Sequence, residues 1–98
     1  MSASDSKVVI YTTPICGYCA AAKRLLTGKG VAYHEIDVFM DPAMRAEMNE
    51  RSGRHTVPQI FIGDTHVGGF DDLNALEKQG RLDALLEREL GPADNKGD

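Results

Sequence analysis

Two strand-type runs divided by one helix-length segment open this chain. "KVVIYTT" (7–13) is β-branched and aromatic with Pro14 behind it, the pattern of a buried strand. "VAYHEIDV" (31–38) alternates Val31, Tyr33 and Glu35 with Ala32, His34 and Ile36, which predicts a second strand. Between them "CGYCAAAKRLLTGKG" (16–30) is rich in helix formers and meets Gly28 and Gly30 as stop signals. A helical crossover of this length lets the two strands lie parallel, and such crossovers are right-handed almost without exception.

The rest of the chain narrows the architecture. Asp41-Pro42 has the form of an N-cap with proline at the first helical position, and that helix runs to about Ser52 and ends at Gly53. "PQIFIG" (58–63) predicts a third strand, and "DTHVGG" (64–69) pairs with it as a hairpin after a tight turn. Asp71 and Asp72 open another helix, with Leu73 and Leu76 three apart, and Gly80 breaks it. "RLDALLEREL" (81–90) carries Leu82, Leu85, Leu86 and Leu90 at helical spacing before Gly91-Pro92. The order is β-α-β-α-β-β-α-α, an α/β chain with a four-stranded mixed sheet and helices on both faces. Its 98 residues suffice for a single domain, with a core of about 7–90 and frayed tails over 1–6 and 91–98.

Composition excludes several classes of function. A net charge of −4 argues against a nucleic-acid partner, whose phosphates require a basic face. No apolar run approaches the roughly 18 residues of a membrane span. "MSASDSK" lacks the charged and apolar regions of a signal peptide, so a cytoplasmic location is expected. Thiols are kept reduced there, and disulfides tend to be transient and catalytic.

The two cysteines, Cys16 and Cys19, stand at the first strand-to-helix junction. At a helix start the unpaired backbone N–H groups and the macrodipole favour an anion. A thiolate at Cys16 is thereby stabilised, as C-x-x-C motifs lower cysteine pKa values to roughly 3.5–7.5. Lys23 and Arg24 add positive charge nearer the far end of that helix. Cys19 lies one turn further in, more covered and less ionised. Cys16 therefore attacks and Cys19 resolves the mixed disulfide. Gly17 allows close backbone approach, and Tyr18 offers a flat wall and a hydroxyl. A structural zinc site would need four ligands, and neither a second cysteine pair nor a metal-type spacing among His34, His55 and His66 is present. Two inert core thiols are the other plain reading. C-x-x-C beside a βαβ pattern favours redox chemistry over both.

Two further segments bear on this site. In "HTVPQIF" (55–61), Pro58 precedes a strand and is a candidate for the cis form. A cis Val57–Pro58 bond would leave the Val57 backbone free to pair with an extended peptide, whereas a trans, strand-opening proline is the commoner case. In "VGGFDD" (67–72), Gly68 and Gly69 permit a tight turn or close ligand approach. The helix that follows could bind a carboxylate through its N–H groups and an ammonium through an Asp side chain, or simply be capped.

"CGYC", "TVPQIFIG" and "GGFDDL", in this order and spacing, resemble the glutaredoxin family over about residues 7–90. The resemblance implies a thioredoxin-like fold and a glutathione-dependent reduction of protein disulfides and protein–glutathione mixed disulfides. Cys16 matches the nucleophile and Cys19 the resolving cysteine. Val57, ahead of a cis Pro58, matches the residue whose backbone meets the cysteinyl part of glutathione. Asp71 matches the helix-start N–H for the γ-glutamyl carboxylate, and Asp72 the side chain near the γ-glutamyl amine. Arg45 matches a position near the glycine carboxylate, and Tyr18 flanks the groove. Thr56 and Gly69 complete the glutathione contacts the resemblance implies. Partners would be glutathione, as electron donor, and disulfide-bonded or glutathionylated proteins. The implied enzyme is a monomer with a reduction potential of about −200 to −230 mV.

Two positions depart from the family pattern. Thr13 stands where many members carry lysine three residues before the first cysteine, so Arg45 would carry more of the attraction for the glycine carboxylate. Gly17 stands where the dithiol motif commonly has proline. Some members with a small residue there hold a [2Fe–2S] cluster between two subunits, through the first cysteine of each and two glutathiones. A bridged dimer of this kind, with Cys16 as ligand, is the alternative function, since one chain offers too few thiolates alone. A redoxin fed by a flavin reductase is a third reading, disfavoured by the acidic pair in "GGFDD". Met40, Met44 and Met48 read as core or partial core. The histidines read as surface or partner-bonded, with no catalytic task.

Overall fold

The computed structural model describes residues 7–91 and carries eight elements in the expected order. They are β1 (Val8–Thr12), α1 (Gly17–Gly28), β2 (His34–Asp37), α2 (Pro42–Ser52), β3 (Gln59–Ile62), β4 (Thr65–Gly68), α3 (Phe70–Lys78) and α4 (Leu82–Leu90). The strand order is β2-β1-β3-β4. β1 pairs parallel with β2 and antiparallel with β3, and β3–β4 is the antiparallel hairpin. Of the tails expected over 1–6 and 91–98, Gly91 is described, as the C-cap of α4, and the rest lie outside the described residues.

Strand alternation divides the core in two. Val8, Ile10, Ile60 and Ile62 face α1, α3 and α4, and bury Ala22, Leu26, Leu73, Leu82, Leu85 and Leu86. Tyr11 and Phe61 face the other way and pack with Val38 and Met48 beneath α2. Helices therefore cover both faces, and the first β-α-β crossover spans one of them.

Helix ends follow the sequence signals. Asp41 caps α2 by accepting the Met44 N–H at 3.1 Å, Pro42 follows, and Gly53 closes the helix at φ +71°. α1 closes with the Gly30 N–H on Thr27 O and the Val31 N–H on Leu26 O, the paired bonds of a Schellman motif with Gly30 left-handed. That closure explains one departure. The second strand begins at His34 and not at Val31, because the Val31 N–H is already engaged by α1. Met40 also departs from expectation: it precedes α2 and is 82% exposed, while Met44 and Met48 do pack inward.

Register fixes what meets at one end of the sheet. Thr12 pairs with Asp37, Tyr11 with Gln59, and Ile60 with Gly68. The chain therefore leaves β1 toward Cys16, enters β3 from Pro58 and leaves β4 toward Gly69 at the same end.

Candidate active site

Cys16 is the N-cap of α1, in extended conformation, and its sulfur accepts the Cys19 N–H at 3.0 Å. The two cysteines are joined as a disulfide, with Cα atoms 5.2 Å apart. Cys16 is half-buried and Cys19 is 1% exposed, the inequality that the C-x-x-C spacing predicts. Reduction would leave the outer sulfur at the start of α1 beside a backbone donor, where a thiolate is favoured. A Cβ on Gly17 would meet no atom within 4 Å apart from its chain neighbours and the backbone of its own helix, so the chain packs nothing else against this position beside Cys16.

Tyr18 stacks on Phe70, with ring centroids 6.1 Å apart and planes 19° off parallel. This contact joins the start of α1 to the start of α3. The Val57–Pro58 bond is cis. Gly69 lies against the same segment, since a Cβ there would stand 3.6 Å from the Pro58 carbonyl oxygen. Thus Cys16, Tyr18, Val57, Pro58 and Gly69 are drawn to one end of the sheet.

Gly69 is the N-cap of α3. The first intrahelical bond is Leu73 N–H to Gly69 O, so the N–H groups of Phe70 and Asp71 precede the ladder. Asp72, at the third helical position, turns back to accept the Gly69 N–H at 3.0 Å, and the same Oδ2 receives the Arg54 guanidinium at 3.2 Å. Among the described residues, Oδ1 of Asp72 carries no hydrogen bond. The Gly69 N–H first, and then Arg54, hold the Asp72 carboxyl below the usual carboxylate range against the opposing effect of burial. Gly68 makes this fit possible. It sits at φ +114°, and a Cβ on it would overlap the Asp72 carboxylate.

Arg45, on α2, donates to the His55 carbonyl at 3.3 Å and so borders the loop that leads to Thr56 and Val57. Arg54 places a second guanidinium on that border. Nothing in the sequence reading singled out Arg54; the signal was a basic residue directly after the Gly53 helix stop.

Gln59 was also missed, and it is the partner of His66, one of the histidines expected to be surface or partner-bonded. Gln59 is 0% exposed. Its amide nitrogen donates to the Thr56 carbonyl at 3.0 Å and the Thr56 hydroxyl at 3.3 Å, and its oxygen lies 2.8 Å from His66 Nε2. The His66 ring stacks on Phe61 at 4.7 Å, and the Arg51 guanidinium stands 4.1 Å from the Phe61 centroid. Burial, with Arg54 and Arg51, pushes the His66 pKa down, against the pull of Asp72. A polar residue within an apolar strand motif, "PQIFI", was the legible hint.

Thr12 and Lys23 converge on Glu35, at 2.7 and 2.9 Å. Burial raises the Glu35 pKa, but these two bonds outweigh it and the net direction is down. Lys23 is therefore committed to β2. Among the described residues no three His, Cys, Asp or Glu side chains gather as a metal site. No described helix is long and apolar enough to cross a membrane.

The glutaredoxin family model matches residues 8–67. The chain belongs to the glutaredoxin family. Glutaredoxins are thiol–disulfide oxidoreductases, and Cys16 with Cys19 forms the redox-active pair. A Pseudomonas aeruginosa glutaredoxin is 60% identical over 79 residues, spanning 81% of this chain and 94% of that relative. The solution structure of a Brucella melitensis glutaredoxin, 59% identical, covers 89% of this chain and 92% of its own at a TM-score of 0.74. A crystal structure of a buckwheat glutaredoxin–glutathione complex is 29% identical, with a TM-score of 0.81 over 93% of this chain and 86% of that one. The sheet and its helices are the thioredoxin-like architecture of these glutaredoxins.

Proposed function

We propose that this glutaredoxin uses glutathione to reduce protein–glutathione mixed disulfides and protein disulfides. The observation that carries the reading is the meeting of the half-buried Cys16 sulfur, the cis Val57–Pro58 segment and the open start of α3 at one end of the sheet. That end offers what a γ-glutamyl-cysteinyl-glycine thiol requires. The buckwheat relative, solved with glutathione, supports the same choice of donor.

In this reading the Val57 backbone pairs with the cysteinyl unit, and Thr56 and Pro58 hold it in place. The Asp71 N–H, at the positive end of α3, receives the γ-glutamyl carboxylate with Gly69 giving room. Oδ1 of Asp72 takes the γ-glutamyl ammonium. Arg45 attracts the glycine carboxylate, and Arg54 adds a neighbouring positive charge. Tyr18 walls the groove.

The Cys16 thiolate attacks the glutathione sulfur of a mixed disulfide. A Cys16–glutathione bond forms, the substrate bond breaks, and the target leaves as a thiolate that takes up a proton. A second glutathione thiolate attacks that adduct, leaving as glutathione disulfide and restoring the Cys16 thiolate. With a protein disulfide, the Cys19 thiolate instead attacks the Cys16–target bond. That step releases the target as a dithiol and leaves Cys16 bridged to Cys19, and two glutathiones reopen the bridge.

The test uses glutathione, glutathione reductase and a small glutathione mixed disulfide. Cys16→Ser should abolish turnover, and Cys19→Ser should keep this route while losing most reduction of protein disulfides. Loss of both routes in Cys19→Ser would overturn the division of labour. An inert wild type that turns over only with thioredoxin reductase would overturn the choice of donor.

A further inference from the structure

The geometry points to His66 as a positioning residue that acts through Gln59 on the Thr56–Val57 backbone. The inference rests on the proposed glutathione site, since it concerns how that site is held. Thr56 is an exposed loop residue outside the sheet, just before the cis bond. Its carbonyl and hydroxyl are both held by one group, the Gln59 amide nitrogen.

That amide has two hydrogens, and Thr56 takes both. Its oxygen is then left to accept, and His66 Nε2 at 2.8 Å is the donor. His66 is therefore the tautomer with its proton on Nε2, an assignment made from the network. Rotating the Gln59 amide by half a turn would set NH2 against the imidazole N–H and oxygen against the Thr56 carbonyl. Gln59 is fully buried, so no solvent can satisfy the turned amide. The His66 N–H and the Thr56 carbonyl thus favour the same amide orientation, and His66 locks the one that holds Thr56. The stack on Phe61 fixes the imidazole in turn.

The experiment compares His66→Phe, which keeps a ring beside Phe61 and removes the donor, with His66→Gln, whose Nε2–H reaches the place of the imidazole Nε2. Each is assayed for KM and kcat with glutathione and for thermal stability. His66→Phe should raise KM for glutathione about threefold to tenfold, the value of one lost hydrogen bond, with kcat within about a factor of two. His66→Gln should restore KM even where it melts lower, because only the donor is retained. Equal KM changes in both variants, or a wild-type KM in His66→Phe, would overturn the inference while leaving the glutathione reading intact. A wild type that does not turn over with glutathione would overturn both. In folded wild-type protein at slightly alkaline pH, ¹⁵N spectra should show His66 protonated on Nε2 and bare on Nδ1. The opposite tautomer would overturn the inference even if neither variant folds.

Discussion

Replacing Asp72 with alanine removes two contacts made by one oxygen, and their magnitudes can be separated. The Gly69 N–H at 3.0 Å is the reciprocal half of a helix cap, and caps contribute about 0.5–2 kcal/mol. The Arg54 contact at 3.2 Å joins side chains that are 48% and 47% exposed, so solvent screening leaves it near the low end of about 0–1 kcal/mol. The cap dominates, and the sum is about 1–1.5 kcal/mol at neutral pH. For a domain of this size that lowers Tm by about 4–12 °C. The pH dependence has a definite sign. Asp72 has its carboxyl pKa lowered by folding, so its contribution is fully present above the unfolded value of about 3.9 and is lost as pH falls through the depressed folded value. Circular-dichroism melts of wild type and Asp72→Ala should therefore differ most at pH 6–8, and the gap should narrow toward that of the neutral Asp72→Asn as the solution is acidified below about pH 4. Asp72→Asn, which keeps an oxygen for the Gly69 N–H, should lie between them at neutral pH. A gap between wild type and Asp72→Ala that stays constant down to pH 2 would refute the reasoning, because an uncharged packing effect has no such dependence.

Other sites give sharper contrasts. Leu26→Ala, on the buried face of α1, should cost about 2–5 kcal/mol by denaturant unfolding without changing the chemistry at Cys16. Gly68→Ala should destabilise by more than about 1 kcal/mol and weaken glutathione binding together, since it strains φ +114° and displaces the Asp72 carboxylate. Calorimetric titration and a melt on that variant check both effects.

The order and pairing of the elements were legible because each boundary is written in local chemistry. Asp41-Pro42, Gly53 and Gly80 stop or start helices by their own conformational limits, and the alternation of Val8 to Tyr11 assigns faces. The Cys16–Cys19 inequality was legible for the same reason: both residues answer to one helix terminus. What escaped was tertiary. The beginning of β2 depends on how α1 closes on Val31, which a strand-like pattern at 31–33 conceals. Arg54 reaches Asp72 across 18 residues of sequence, and Gln59 meets His66 because the chain returns as the β3–β4 hairpin while its amide reaches back to Thr56. Buried polar partners of this kind have no periodic signature. A single polar residue in an apolar strand is the most that the sequence displays.

The empty space around Gly17 carries a practical consequence. Its φ lies outside the left-handed region, and a Cβ there would meet no atom within 4 Å apart from its chain neighbours and the backbone of its own helix. Substitution at this position therefore changes loop stiffness and local charge beside the sulfurs without repacking the interior. It is the natural attachment point for a spectroscopic probe that follows the opening and closing of the cysteine bridge.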